Sequence, residues 1–224
     1  MTERVLVWDL PTRVFHWLLA AAFAGAWLTG DSERWRDLHM MLGYSVAGLI
    51  VFRILWGFVG SRYARFRSFL FRPAELLAYL RSLATRSPRH YLGHNPAGSI
   101  AVFLLLGLGL VTALSGYAYF QEWGGEWLEE VHEAAAVAML AVVGMHIAGV
   151  IASSLLHREN LVRAMITGRK LGESGQGIAR RYGAVALLLL AAGTALWAWY
   201  PAGGEATGQV RAVQQEQRHD DERG

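Results

Sequence analysis

The chain has 224 residues, of which 54% are hydrophobic and 17% are charged, and its formal net charge is +3 at pH 7. Together with a mean hydropathy of +0.26, this composition is too apolar for an ordinary soluble domain and favours a membrane protein. The sequence contains no cysteine, which excludes disulfides, thiolate metal sites and iron–sulfur clusters. Any metal chemistry must therefore depend on histidine.

Five apolar runs follow one another along the chain, near residues 14–30, 40–60, 97–120, 131–156 and 183–200. Each has about the 17–25 residues that a helix needs to cross the hydrocarbon core of a bilayer. We therefore predict an all-α integral membrane bundle. Residues 1–175 are expected to form its four-helix core and residues 176–202 an additional transmembrane helix. Residues 203–224 are expected to form a polar, disordered tail on the periplasmic side.

The basic loops predict the orientation of these helices. Arginine and lysine are concentrated between the second and third runs and between the fourth and fifth runs. Loops of this composition stay on the cytoplasmic side, whereas the loops "GDSERWRD" and "QEWGGEWLEE" are acidic or mixed. We therefore expect a multi-pass membrane protein with a cytoplasmic N-terminus. This topological role explains the positive charge better than binding of nucleic acid does.

Four of the eight histidines lie within or at the ends of the predicted spans, namely His16, His39, His132 and His146. His132 and His146 are 14 residues apart, which in a helix gives a rise of about 21 Å and a rotation only about 40° short of full turns. Both rings therefore face one side of the fourth helix at two depths. The topology places His16 in the same half of the membrane as His146, and His39 level with His132. It thus predicts the pairs His16/His146 and His39/His132.

Two facing neutral imidazoles without a thiolate or carboxylate suit the axial positions of a haem iron, and the core of a helical bundle is a common place for such a site. An uncompensated imidazole is costly in lipid and usually marks function. One buried histidine bonded to a neighbouring helix would be unremarkable, but four at two levels indicate two haem groups. The glycines of the first four spans permit a macrocycle close to the backbone without requiring it, because glycine is also common where membrane helices pack closely.

Arg53 lies 14 residues after His39 and so near the level of the inner pair, His16/His146. A guanidinium can bind a carboxylate through two hydrogen bonds, which would suit a haem propionate. An arginine near the inner end of a helix can instead extend towards the lipid headgroups. The sequence leaves both roles open.

Six stretches carry a family resemblance: "VFHWLL", "DLHMMLGY", "VFRILWGFVGSRYARF", "PRHYLGHNPAG", "GYAYF" and "VHEAAAVAMLAVVGMHIAGV". They resemble the bacterial cytochrome b561 family and the related b-type cytochrome subunits of membrane-bound nickel–iron hydrogenases, over roughly residues 5–170. The resemblance implies that the protein lies in the bacterial inner membrane and that the four span histidines are axial ligands of two b haems. These families mostly have four spans, so the fifth run, "RRYGAVALLLLAAGTALWAWYP", is a departure from their pattern.

This interpretation predicts electron transfer between a periplasmic redox partner, either a hydrogenase or a c-type cytochrome, and the quinone pool. Quinone exchanges protons together with electrons, and His94 and His157 on the cytoplasmic side are candidate residues for a quinone site. Asn95-Pro96 also predicts the start of a helix, and His157 could instead cap the carbonyls at a helix end.

Three other functions stay open at this point. A stand-alone superoxide:quinone oxidoreductase would favour a positive outer rim, whereas the outer loops are net acidic. A histidine-based transporter of divalent metals would favour carboxylates beside the histidines, but the spans contain almost none apart from Glu133. A purely structural membrane anchor is also compatible with the sequence. The oligomeric state is open as well, and a homodimer is possible.

Overall fold

A computed structural model describes residues 2–84 and 89–199 of the chain. Within these residues the chain is mostly helical, and its long helices coincide with the predicted apolar runs. The helices are α1 (Leu10–Thr29), α2 (Arg36–Val59), α3 (Pro73–Ala84), α4 (Pro96–Phe120), α5 (Trp127–Leu156), α6 (Leu161–Thr167) and α7 (Gly183–Trp199). Short 3₁₀ turns precede α2 and α3.

Two of the long helices begin at the same kind of signal, a side-chain acceptor followed by proline. The Asp9 carboxylate accepts the backbone N–H of Thr12 at 2.8 Å at the start of α1. The Asn95 side chain accepts the N–H of Gly98 at 2.7 Å at the start of α4. Such caps satisfy backbone donors that the first turn of a helix leaves unpaired. The helix start that Asn95-Pro96 predicts is thus confirmed.

The long helices pack as two pairs, α1 against α2 and α4 against α5. Helix α2 also packs against α4 and so connects the two pairs. Three segments are long and apolar enough to cross a membrane, namely Glu33–Val59, Pro96–Phe120 and Trp127–Leu156. Many of their leucines and valines point outward, for example Leu55 and Leu155. An apolar surface of this extent is suited to lipid rather than to water. The fold is a helical membrane bundle, whereas five crossings and the side of the N-terminus stay predictions.

A small antiparallel sheet corrects the expectation of a purely α-helical fold. Strand β1 (Thr2–Leu6) pairs with strand β2 (Arg169–Glu173), with Leu6 opposite Arg169. Val5 of β1 is buried in a cluster with the following Val7 and Trp8. The pairing was missed because each strand has only five residues and the two lie more than 160 positions apart, so that no local pattern connects them.

The arginine-rich segments, expected to be loops, contain the two shorter helices. In α3 one face is buried through Tyr79, whereas Leu77 and Leu80 are exposed on another face. In α6 Ala164 is buried and Ile166 is exposed. Short helices with apolar residues on an exposed face suit the interface between membrane and water.

The chain divides into two compact units after Ala186. The predicted additional helix is present as α7, an apolar helix that is shorter than the long helices of the first unit. Leu187 and Leu188 on α7 are both exposed. The predicted polar tail at 203–224 lies outside the described residues, and the predicted domain boundaries stay predictions.

Candidate functional site

The outer histidine pair, His39 and His132, is formed by the first turn of α2 and the second turn of α5. The ring centroids of His39 and His132 are 6.1 Å apart. The Nδ1 atom of His39 lies 2.9 Å from the carbonyl oxygen of Ala26 on α1, and Nδ1 of His132 lies 2.8 Å from that of Thr112 on α4. A carbonyl can only accept, so each Nδ1 carries the proton and donates it. The Nε2 lone pair of each ring is then available to a metal, as in many histidine-ligated metal sites.

The inner histidine pair joins α1 to the second half of α5. The ring centroids of His16 and His146 are 6.4 Å apart. Nδ1 of His16 is buried and has no hydrogen-bond partner. Its ring is therefore oriented by packing, including an edge contact with Trp17 at 5.0 Å, rather than by a carbonyl.

The separation within each pair matches that of two imidazoles on opposite sides of one metal. Metal–imidazole bonds of about 2 Å place the two ring centroids roughly 6 Å apart when the rings face each other across the ion. Among residues 2–84 and 89–199, no three His, Asp or Glu side chains form a cluster that could hold a metal ion. A metal held by two histidines alone needs further ligands from elsewhere, and the porphyrin of a haem supplies four. The residues therefore fit haem better than the three or four protein ligands typical of zinc.

Glycines of the long helices border open space and the outer pair. A Cβ atom added to Gly43, Gly48, Gly107 or Gly144 would meet no atom within 4 Å. By contrast, a Cβ atom at Gly116 on α4 would lie 2.6 Å from Nδ1 of His132. Gly116 thus leaves room for the His132 ring. Sequence reasoning did not identify this role, although Gly116 begins the quoted stretch "GYAYF".

The layer between the two pairs is closely packed protein. Met139 lies seven residues from both His132 and His146 and is 2% exposed, and Ile50 is fully buried. A Cβ atom at Gly109 would come within 2.6 Å of Ile50 and 3.4 Å of Met139. Seven helical residues correspond to about 10 Å, so this layer separates the two histidine levels and keeps water from the space between them.

Arg53 on α2 is buried, with 3% of its surface exposed. Its guanidinium carbon lies 5.1 Å from the centre of the Phe66 ring and 5.9 Å from that of Phe69, and Nη1 has no hydrogen-bond partner. The nearby carboxylate of Asp9 is engaged elsewhere, by the indole N–H of Trp56 at 3.1 Å. The Arg53 side chain therefore does not extend towards the lipid headgroups, which was the alternative that the sequence left open. A buried guanidinium with a free donor suits an anionic group that belongs to the site.

His94 lies in an enclosed aromatic setting. Its ring is 4.7 Å from Trp8 and 4.4 Å from Phe69, centroid to centroid. Burial, together with the nearby positive charge of Arg53, lowers the pKa of His94 to about 3. The ring is therefore neutral at physiological pH, and its buried Nδ1 has no hydrogen-bond partner.

His157 occupies a different position, directly after α5. Its backbone N–H donates to the carbonyl of Ser153 at 3.0 Å, so its main chain takes part in ending the helix. The ring centroids of His157 and His90 are 5.5 Å apart. The pKa of His157 is lowered, mainly by burial and to a lesser extent by the nearby His90. The quinone-site roles of His94 and His157 stay predictions.

The fold is that of a helical membrane bundle, and paired histidines between its helices are an arrangement that membrane cytochromes use. A family model for prokaryotic cytochrome b561 matches residues 7–168. The chain belongs to this family and is therefore a b-type cytochrome that transfers electrons in a membrane.

Curated relatives are similar over most of their length, and each is named "probable Ni/Fe-hydrogenase B-type cytochrome subunit". The relative from Rhizobium leguminosarum bv. viciae is 25% identical, and the match covers 75% of this chain and 90% of the relative. The relatives from Azotobacter vinelandii and Rhodobacter capsulatus are 22% and 24% identical, with 75% and 74% of this chain and 88% and 81% of the relative covered. No solved structure matches the chain significantly.

Proposed function

We propose that the chain holds two b haems, one between His39 and His132 and the other between His16 and His146. The observation that supports this most directly is the pair of centroid separations, 6.1 Å and 6.4 Å, each close to the roughly 6 Å expected across one ligated metal. Haem iron, when bound, supplies one-electron oxidation and reduction. The protein's own part is to hold the rings, to exclude water and to balance charge.

The two sites differ in how the protein orients the ligands. At the outer site, the carbonyls of Ala26 and Thr112 fix the tautomer and the direction of the two rings. At the inner site, Arg53 would bind a propionate. Two facts support this role: its buried Nη1 lacks a partner, and a guanidinium binds carboxylates strongly. Arg53 also brings positive charge close to the inner haem, which favours the reduced iron.

The proposed route crosses the membrane, with four core helices plus α7 as a fifth span and a cytoplasmic N-terminus. The positive-inside rule supports this orientation, because the basic segments 62–89 and 158–181 then lie on one side. Electrons would pass between a periplasmic partner at the outer site and quinone near the inner site. His94 and His157 are the proposed quinone-site residues, and His157, which is only partly buried, is the more accessible of the two.

The names of the relatives favour a hydrogenase as the periplasmic partner over a c-type cytochrome. The outer surface is consistent with docking of a protein, since Trp35, Trp123 and Trp127 are exposed there. The outer loops are acidic or mixed rather than basic, which does not favour superoxide as the electron donor.

Single histidine substitutions test the ligand assignment. His39→Ala and His132→Ala should each remove the same outer centre from the redox titration of the purified chain, and His16→Ala and His146→Ala should each remove the other one. His90→Ala is the matched control, because His90 is exposed and belongs to neither pair. If His39→Ala and His132→Ala removed different centres, the pairing would be wrong. If none of the four changed the spectrum, the ligand assignment would be wrong.

A further inference from the structure

A basic pocket lies outside the haem-binding core, where β1, the turn between α5 and α6, and β2 meet. Its volume is about 250 Å³. Five cationic side chains and one carboxylate line it, namely Arg4, Arg158, Arg163, Arg169, Lys170 and Glu159. These residues come from three separate parts of the sequence.

The charges within this basic pocket are not balanced. The charge of Lys170 is balanced by the Glu159 carboxylate, which lies 3.8 Å from its Nζ atom. The same Nζ atom donates a hydrogen bond to the carbonyl of Tyr91 at 2.9 Å. In the described part of the chain, none of the four pocket arginines makes an ion pair, and all four are exposed. Four guanidinium groups therefore remain around one concavity, and an anion there would relieve their mutual repulsion.

The backbone brings these arginines together. In the sheet Arg4 is opposite Leu171, so Arg4 and Arg169 are diagonal neighbours on one face. The guanidinium of Arg169 also donates to the backbone carbonyl of Arg4 at 3.3 Å. Arg158 follows α5 with a left-handed backbone, φ 52°, in a region where glycine or asparagine is usual.

The positive-inside rule explains many arginines in these segments but not their convergence. It requires only that basic residues be frequent in the loops on one side. A concave site that gathers four of them, with a single carboxylate already paired to lysine, has the composition of a phosphate-binding site.

We propose that this basic pocket binds the phosphate headgroup of an anionic phospholipid. Exposed apolar side chains adjoin the pocket residues in sequence: Leu155 precedes Arg158, while Val162 and Ile166 flank Arg163 on α6. A phosphate in the pocket with acyl chains along such a surface suits a lipid better than a soluble anion. Basic pockets at the cytoplasmic side of membrane helices commonly bind anionic headgroups. The inference rests on the cytoplasmic placement of these segments proposed above.

The test uses the full chain, purified with its haem in a nonionic detergent, and titrated with phosphatidylglycerol, phosphatidylcholine or inorganic phosphate. Bound lipid is counted by native mass spectrometry. The double variant Arg158→Gln/Arg163→Gln should raise the phosphatidylglycerol concentration for half-saturation about tenfold or more. Phosphatidylcholine should bind more weakly and with no difference between the variant and the original chain.

The matched control is Arg67→Gln/Arg81→Gln, which removes the same charge from the same predicted side of the membrane but outside the pocket. An equal loss of phosphatidylglycerol in both double variants would overturn the proposal, because diffuse attraction would then explain the binding. Displacement of the lipid by an equal concentration of inorganic phosphate would also overturn it, by assigning the pocket to a soluble anion. The haem spectrum is recorded in parallel. If the original chain showed no haem spectrum, that result would count against the proposed function. Lipid binding in detergent is measured without reference to haem or to membrane orientation, so the two results can be told apart.

Discussion

Gly116 on α4 offers a sharp test of the outer site. A Cβ atom there would lie 2.6 Å from Nδ1 and 2.7 Å from Cε1 of His132, whereas favourable contacts begin at about 3.5 Å. In Gly116→Ala the ring must therefore move by about 1 Å. The Thr112 carbonyl holds Nδ1 of this ring at 2.8 Å. If Nε2 were also bound to a haem iron, as proposed, the ring could not make that movement and keep both bonds.

Two opposing free-energy contributions decide whether Gly116→Ala stabilises or destabilises the outer site. Alanine in place of glycine within a helix normally stabilises it by about 1 kcal/mol. Inserting a methyl group into a filled space costs about 1–3 kcal/mol, and in the proposed site the strain would fall on the ring that binds the haem. We therefore expect Gly116→Ala to lose the outer haem, or to shift its midpoint potential, while the inner haem keeps its spectrum and potential.

The assay is a redox titration of the purified variant, followed by its optical spectrum. Gly193→Ala is the control, because a Cβ atom at this helical position on α7 would meet nothing within 4 Å. It should leave both centres unchanged. If Gly116→Ala also retained both centres with unchanged potentials, His132 would be free to move, and it could not be an axial ligand in the observed position.

Three further variants probe the layer between the sites, the charge at the inner site and the buried histidine. Met139→Ala should lower the free energy of unfolding by about 2–5 kcal/mol through the cavity it leaves; thermal unfolding measures this, and Met145→Ala on the exposed side of the same helix should have a much smaller effect. Arg53→Gln should lower the midpoint potential of the inner haem by roughly 60 mV, equivalent to a tenfold change in a one-electron equilibrium, because a positive charge that favours reduced iron is lost; Arg53→Lys should restore most of it, and an unchanged potential in Arg53→Gln would contradict its placement. The pKa of His94 is lowered to about 3 in the folded chain, so between about pH 3 and pH 6.5 the unfolded chain binds a proton that the folded chain does not. The contribution of the neutral His94 ring to folding stability is therefore present above pH 6.5 and is lost as the pH falls from there towards about 3. His94→Gln should flatten that part of the pH profile of thermal unfolding, and a profile identical to that of the original chain would contradict the burial of a neutral ring.

Much of the helical core could be predicted because its signals are local. Apolar runs of membrane-spanning length predict α2, α4 and α5 without reference to the rest of the chain, and Asn95-Pro96 predicts where α4 begins. The two levels of histidine follow from one helical offset, since His132 and His146 lie on a single helix. Their roles as haem ligands stay predictions that the centroid separations support.

Other features could not be predicted because they depend on contacts between distant residues. Strands β1 and β2 lie just before and just after the matched region, and neither short strand carries a pattern that indicates its partner. The carbonyls of Ala26 and Thr112, which accept from the outer histidines, belong to residues whose side chains give no hint of that role. The spacing of Arg53 predicts its depth, but its burial between aromatic rings depends on Phe66 and Phe69, which lie beyond the end of α2.

The number of haems in the purified chain tests the central claim most directly. Haem extracted in alkaline pyridine and measured by its absorption, together with a protein determination on the same sample, gives the haem content per chain. The account predicts two b haems per chain, which titrate as separate centres. A preparation saturated with haem that holds only one per chain, or none, would contradict it.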